Sequence, residues 1–294
     1  MVATLPHRYG KLPPLTKYGE GRSLLLAKYL RTNQLPPLPA ALDIYTPVLA
    51  AGGGEMFGND TIGDCTCAAI GHALEADSLA GSGMMVRPTT DEILAFYSLV
   101  SGYNPSTGEN DRGAVVESVL TTWRKTGLQT PSGVSKILGF ARVDETKHAE
   151  VLAAFQLGGI LDIGFSVTQS DEDQFSAGQV WDAVADPGAI LGGHSVVVGG
   201  YTQAGPLKGR AQVLNATSGG VLLGTWATSQ WATWAWWDQN ITGQGPRVDE
   251  CWWAATPQWF GRAGLNPVGL DLAAFGQDIA QITGEPDPFP SPRR

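Results

Sequence analysis

Gly58-Asn59-Asp60-Thr61-Ile62-Gly63-Asp64-Cys65-Thr66-Cys67-Ala68-Ala69 is the stretch whose reading decides the fold. It sets a cysteine between a glycine-rich turn and a run, Cys65 to Leu79, in which apolar residues recur at helical spacing. The cysteine therefore opens a buried helix. A helix N-terminus concentrates partial positive charge and favours a thiolate over a thiol. About 130 residues further on, Gly192-Gly193-His194-Ser195-Val196-Val197-Val198-Gly199-Gly200-Tyr201 puts a histidine at the mouth of a buried strand. A histidine brought beside such a cysteine can hold the ion pair and later hand a proton to a leaving group.

Outward from these two segments, the period of the chain changes once. Thr90-Asp91-Glu92 caps a second helix running from Ile93 to Ser101, and a third is predicted from Ala114 to Thr126, stopped by Gly127. After that, Lys136–Val143 reads as a strand and Glu145–Gln156 as a short helix. Ile160–Val167 and Ser195–Tyr201 read as buried strands, with further strands near Gln212–Asn215, Val221–Trp226 and Cys251–Ala255. Helices first and strands later describe an α+β protein whose two halves pack together. Residues 1–36 read as an arm with one short helical pattern, Ser23–Leu30, and residues 37–262 as the main domain. Residues 263–294 hold a weak helix, Leu270–Ile282, and a Pro-rich tail whose last ten residues are expected to be mobile.

With 294 residues, 43% apolar and 16% charged, the chain can bury a large core. Its net charge of −9, with no run of Lys or Arg, argues against nucleic acid or an anionic membrane as main partner. The first ten residues lack an apolar signal region, and no apolar stretch reaches membrane-spanning length. A cytoplasmic or virion-associated protein is expected. Of the three cysteines, Cys65 and Cys67 are too close to bridge each other, which leaves Cys251 as the one mate for either; a reduced setting is the simplest reading. A Cys-x-Cys pair with His72 or His194 could suggest zinc, but a second close-spaced ligand pair is missing. Seven of the ten tryptophans fall between Trp226 and Trp253, either as packing of one compact subdomain or as an aromatic binding surface.

Together these segments resemble the papain-like cysteine proteases, in a divergent bacterial or phage branch. The order Cys then His matches; Leu38–Tyr45 resembles the start of the mature domain, and Gly193–Tyr201 the histidine motif. Gly108-Glu109-Asn110-Asp111-Arg112-Gly113 resembles the glycine-rich substrate-binding loop. The resemblance implies a helical left subdomain with the Cys helix and a twisted antiparallel β right subdomain carrying the His. It implies Cys65 as nucleophile, His194 as proton carrier and no metal or organic cofactor. Asn59, six residues before Cys65, stands where the family carries an oxyanion-hole glutamine; it is one methylene shorter. Asp111, Arg112 and Gly113 would line the substrate cleft, and Trp226 would shield the histidine.

The third catalytic position departs from the family. Gly224-Thr225-Trp226-Ala227 looks most like the Asn-Ser-Trp-Gly motif but puts glycine where asparagine belongs. Asn215 is the candidate in its place; failing it, a backbone carbonyl or Gln230 would orient the pair. Two function classes follow. One is a cysteine peptidase or amide hydrolase acting on a peptide or protein, or its acyl-transferase relative. The other is a structural or interaction protein of a phage virion or other bacterial assembly, with partners held through the termini. Cys67 is expected to face the core, and His72 and His148 to be surface or packing residues.

Overall fold

The computed structural model describes residues 7–21, 23–260 and 268–289; the expected 262/263 boundary and residues 290–294 of the tail lie outside them. Within the described residues the helices are α1 (Thr46–Ala50), α2 (Cys65–Ser82), α3 (Thr90–Ser101), α4 (Val116–Lys125), α5 (His148–Gly158), α6 (Gln169–Ser176), α7 (Trp234–Trp237), α8 (Pro257–Phe260) and α9 (Leu272–Thr283). The strands are β1 (Ala41–Asp43), β2 (Leu128–Thr130), β3 (Gly133–Ser135), β4 (Gly139–Val143), β5 (Leu161–Thr168), β6 (Ile190–Thr202) and β7 (Gly205–Lys208). They continue with β8 (Val213–Ala216), β9 (Gly220–Thr225), β10 (Thr228–Thr233), β11 (Asn240–Ile241), β12 (Gly245–Pro246) and β13 (Val248–Ala255). None of these helices is long and apolar enough to cross a membrane.

Helices dominate before residue 126 and strands after it, as the change of period predicts. The main sheet runs β10-β9-β6-β5-β13-β4, with β1 paired to the C-terminal end of β6, and every pairing is antiparallel. Two apolar cores flank it. Val197 and Trp252 point into the core built on α2, α3 and α4, beside Leu74, Ile93 and Trp123. Their neighbours Val196, Val198, Cys251 and Trp253 point the other way, into a core shared with Phe155, Phe165 and Phe275. Successive strand residues face opposite sides, so a sheet with a core on each face must be apolar throughout. That is why β5 and β9 are buried at every residue.

Helix α2 is buried from Cys65 to Ser78, so its two carboxylates need internal partners. Glu75 accepts the Gly54 N–H at 2.8 Å; Asp77 accepts the Ile160 N–H at 3.1 Å and the Thr256 hydroxyl at 2.8 Å. Burial pushes both acids up to about 7. The Asp77 bonds clamp α2 to the start of β5 and the end of β13, which fixes the helix against the sheet.

Several local expectations shift. The Ser23–Leu30 pattern forms only a short 3-10 turn, Leu26–Lys28, because Leu24 O is taken by the Arg142 N–H at 2.7 Å in a bridge to β4. Helix α4 starts at Val116 rather than Ala114, whose N–H donates to Gly10 O at 2.8 Å. The strand expected from Lys136 begins at Gly139, and α5 begins at His148 because Asp144 closes a turn onto Thr146 N at 3.1 Å. Trp226, Trp234, Trp236, Trp237 and Trp253 are buried in the core on the β side, as subdomain packing requires.

At the far end of the sheet the Arg247 guanidinium pairs with Asp171, both side chains buried. Asp171 also accepts the Trp236 indole N–H at 2.7 Å and closes a capping box with Thr168 at the start of α6. Removing one member of a buried pair strands the other. Arg247→Leu is expected to lower unfolding free energy by about 3–5 kcal/mol, read from the urea midpoint at an unchanged slope.

Candidate active site

Cys65 is the first residue of α2, and the turn before it is tightened by Gly58, at φ 98°, and by Asp111. Asp111 accepts the Gly63 N–H at 2.9 Å and the Tyr97 hydroxyl at 3.0 Å, tying the turn to α3. His194 lies on β6, opposite Phe165 of β5. Topology brings the helix start and the strand together: Cys65, His194, Asn59, Thr225 and Trp226 line one small cavity, with His72 from two turns further along α2. Its volume is about 10 Å3, no more than one water molecule needs. Larger hollows of about 270 and 450 Å3 contain neither Cys65 nor His194.

The third position is where sequence reasoning went astray. His194 Nε2 lies 3.0 Å from the Thr225 hydroxyl, both groups buried. Asn215 is not in the cavity: it sits exposed on β8, opposite Pro206 in the β7–β8 hairpin. Gln230 is turned away as well, donating to Gln179 O and Trp231 O. Within Gly224–Ala227 it is Thr225, one residue past the glycine, whose hydroxyl meets the imidazole. Trp226 and Ala227, at φ 45° and 56°, form the tight turn between β9 and β10. Both central residues at positive φ make a turn that normally selects Asn-Gly. Here it swings the Trp226 ring over His194, stacked at 4.8 Å between centroids. Cys67 is buried against the helical core, and all three cysteines are unpaired.

The N-terminal arm occupies the groove over these residues. Gly10 O accepts from Ala114 N at 2.8 Å, Lys11 N donates to Gly193 O at 2.9 Å, and Leu12 N donates to Ala114 O at 2.9 Å. This is a parallel bridge between Lys11 and Ala114, against the end of the glycine-rich loop. A side chain at Gly10 would run into the Gly63 carbonyl, and one at Gly113 into Gly10 O. Asn59 Nδ2, the expected oxyanion donor, gives its protons to Arg8 O at 3.3 Å and Ile62 O at 3.1 Å. The His7 ring stacks on the other side of the site, 3.9 Å from Trp226, and bonds Glu172 at 2.9 Å; Tyr9 also donates to Glu172. Gly113 therefore meets the arm, Asp111 braces the turn and Arg112 is exposed.

Burial under the arm sets the protonation states. It pushes the Cys65 thiol up to about 12, against the pull of the Ser195 and Gly10 backbone groups beside the sulfur. Burial lowers His194 to about 3, the neighbouring His7 and His72 acting in the same direction, and burial lowers His72 to about 4. With the arm seated, the pair is a neutral thiol and a neutral imidazole. The ring's Nδ1 is buried and without a hydrogen-bond partner.

No protein-family model and no curated protein sequence matches the chain. Solved structures do. Xylellain, a cysteine protease from Xylella fastidiosa, superposes at a TM-score of 0.60 and 15% identity over 85% of this chain and 97% of that one. Procathepsin B S9 from Trypanosoma congolense gives 0.57 at 11% identity, over 84% of this chain and 86% of that one. The larval midgut procathepsin L 3 of Tenebrio molitor gives 0.52 at 12%, over 85% and 76%. From the two flanking cores, the antiparallel sheet and these likenesses together, the chain has the papain-like fold.

Proposed function

We propose that the chain is a cysteine peptidase or amide hydrolase, kept latent by its own N-terminal arm. The observation that carries this reading is the meeting of a helix-start cysteine and a strand histidine in one buried cavity, with the histidine's Nδ1 unpartnered. In the reaction, His194 Nδ1 takes the Cys65 proton, and the sulfur attacks the substrate carbonyl. The oxyanion is held by Asn59 Nδ2–H and the Cys65 N–H, one of the first-turn amides that have no intrahelical partner. The imidazolium then gives its proton to the leaving amine, and a water deprotonated by the same ring releases the acyl group. Thr225 keeps Nε2 hydrogen-bonded throughout, which leaves Nδ1 free to take the proton, and Trp226 keeps water away from that bond.

The arm blocks each of these steps. Its Arg8 carbonyl takes the oxyanion donor, its Gly10 backbone covers the sulfur, and its burial of the pair favours the neutral forms. Once the arm leaves, solvent and the helix N-terminus both favour the thiolate–imidazolium pair. A second reading, a structural or interaction protein of a phage particle or other bacterial assembly, draws on the same shut cavity. In it the arm would be a permanent part of the core and Cys65 an inert buried thiol.

The two readings separate on cysteine reactivity. In the intact chain Cys65 alkylation by iodoacetamide, followed by peptide mass, is expected to rise about tenfold per pH unit from pH 5 to 9 without a plateau, because a thiol near 12 gains thiolate across that whole range. Lys11→Ala, which loosens the arm, is expected to accelerate labelling and bring a plateau to lower pH; unchanged slow labelling would favour the structural reading. In that loosened background, Cys65→Ala abolishes peptide hydrolysis while leaving the circular dichroism unchanged. Thr225→Val removes one positioning hydrogen bond of about 0.5–1.5 kcal/mol and is expected to lower kcat about two- to twelvefold, with KM little changed.

A further inference from the structure

The arm's lysine is the least expected buried side chain in the molecule. Lys11 is 2% exposed at its side chain, and its ammonium lies 2.6 and 2.7 Å from the Asp249 carboxylate and 3.2 Å from Glu250. A buried lysine that faces two carboxylates is held as a charge, not as a filler of apolar space. The pocket is built for it. β13 pairs Val248 with Phe165 and Glu250 with Gly164, so Asp249 is an extra residue in a bulge. A bulge breaks the alternation of faces and lets two consecutive acids turn to one side. Gly164 of β5 supplies the space, since a side chain there would meet the Lys11 Cε. Asp162, two residues before it, is buried with Oδ2 unpartnered; burial raises its carboxyl well above the usual range, with Glu250 adding to the rise and Lys11 opposing it.

The place of this pocket matters as much as its charge. Lys11 follows Gly10, whose backbone lies over the Cys65 sulfur, and bonds Gly193, the neighbour of His194. The arm's main-chain bonds to Gly193 and Ala114 use no side chain and would accept any sequence. The side-chain pocket one residue away from the reacting sulfur would not. When the arm leaves, Asp249 and Glu250 lose their cation, and a second cation would restore the pairing.

We propose that this pocket is the specificity site of the peptidase, and that it selects substrates carrying a lysine or arginine side chain at the position that Lys11 mimics. The inference rests on the peptidase reading of the same cavity. A neutral side chain leaves two acids unpaired there, and an acidic one adds a third negative charge. Asp249 is the better residue to alter, because it sits at the pocket mouth with 25% of its side chain exposed, whereas Glu250 is fully buried and also accepts the Trp252 indole N–H at 2.7 Å.

The experiment uses the full chain with Lys11→Ala and a set of tripeptidyl acyloxymethyl ketones that alkylate Cys65. Lysine, norleucine or glutamate is placed at each position in turn, with alanine elsewhere. The rate of Cys65 modification is read by peptide mass. At one position lysine is expected to react at least about 100-fold faster than norleucine, with glutamate slowest. Adding Asp249→Asn is expected to reduce that ratio to about tenfold or less, chiefly by slowing the lysine probe. As a second measurement, a synthetic peptide of residues 7–15 with the wild-type sequence should slow labelling of the Lys11→Ala protein, and its lysine-to-norleucine form should not. Rates indifferent to the side chain at every position, with Cys65 still labelled, overturn the pocket and leave the peptidase standing. Failure of every probe and of iodoacetamide to reach Cys65 overturns both.

Discussion

A second strand of polypeptide can lie across Cys65 because the surfaces that meet there carry no Cβ atoms. Gly10 faces the Gly63 carbonyl, Gly113 faces Gly10 O, and Gly193 faces Lys11 O, each at a spacing that a side chain would destroy. Glycine is used here for close backbone approach. Around this seam the other contacts line up: the bridge from Lys11 to Ala114, the Asn59 amide on Arg8, and the stacked His7, Trp226 and His194 rings.

Burial at the seam decides the chemistry that is available at any moment. The helix N-terminus and two backbone groups all favour a thiolate at Cys65, yet desolvation outweighs them and leaves a thiol near 12. His194 is driven the opposite way by the same cause, to about 3. A buried pair of this kind stays neutral until water or a substrate's charge reaches it. Keeping the pair neutral thus needs no bond to be made or cut, only a segment of chain to remain seated. The seat is electrostatic on one side, where Lys11 meets Asp249 and Glu250, and aromatic on the other, where His7 meets Trp226. Arg247 and Asp171 stand behind the aromatic side, since the capping box they support begins α6 and so places Glu172 under His7 and Tyr9.

Much of this site was legible in the sequence where the signal was local. The Cys65 helix has a glycine-rich entry and a long apolar run; the His194 strand is an unbroken apolar stretch after two glycines. Asn59 is placed only through the family resemblance, six residues before Cys65 where those proteases carry a glutamine. Thr225 could not be placed, because its role depends on the register between β6 and β9, which shifts at a bulge between Val198 and Gly200. A one-residue change of phase turns a strand residue to the other face, and nothing within Gly224–Ala227 reports that phase. Asn215 looked suitable for its residue type and lies on a strand as expected, but that strand belongs to a separate hairpin.

The sequence by itself determined the order of elements, the α+β class and the two segments that hold sulfur and imidazole, because periodicity and turn chemistry act over a few residues. Only the tertiary structure decided that the two line one cavity, that the Thr225 hydroxyl lies beside the imidazole, and that residues 7–12 cover them. Those outcomes depend on contacts between positions tens to hundreds of residues apart, such as Lys11 with Asp249 or Asn59 with Arg8. Such contacts leave no local period. They are fixed by which backbones can approach closely and by the demand that buried charges find partners.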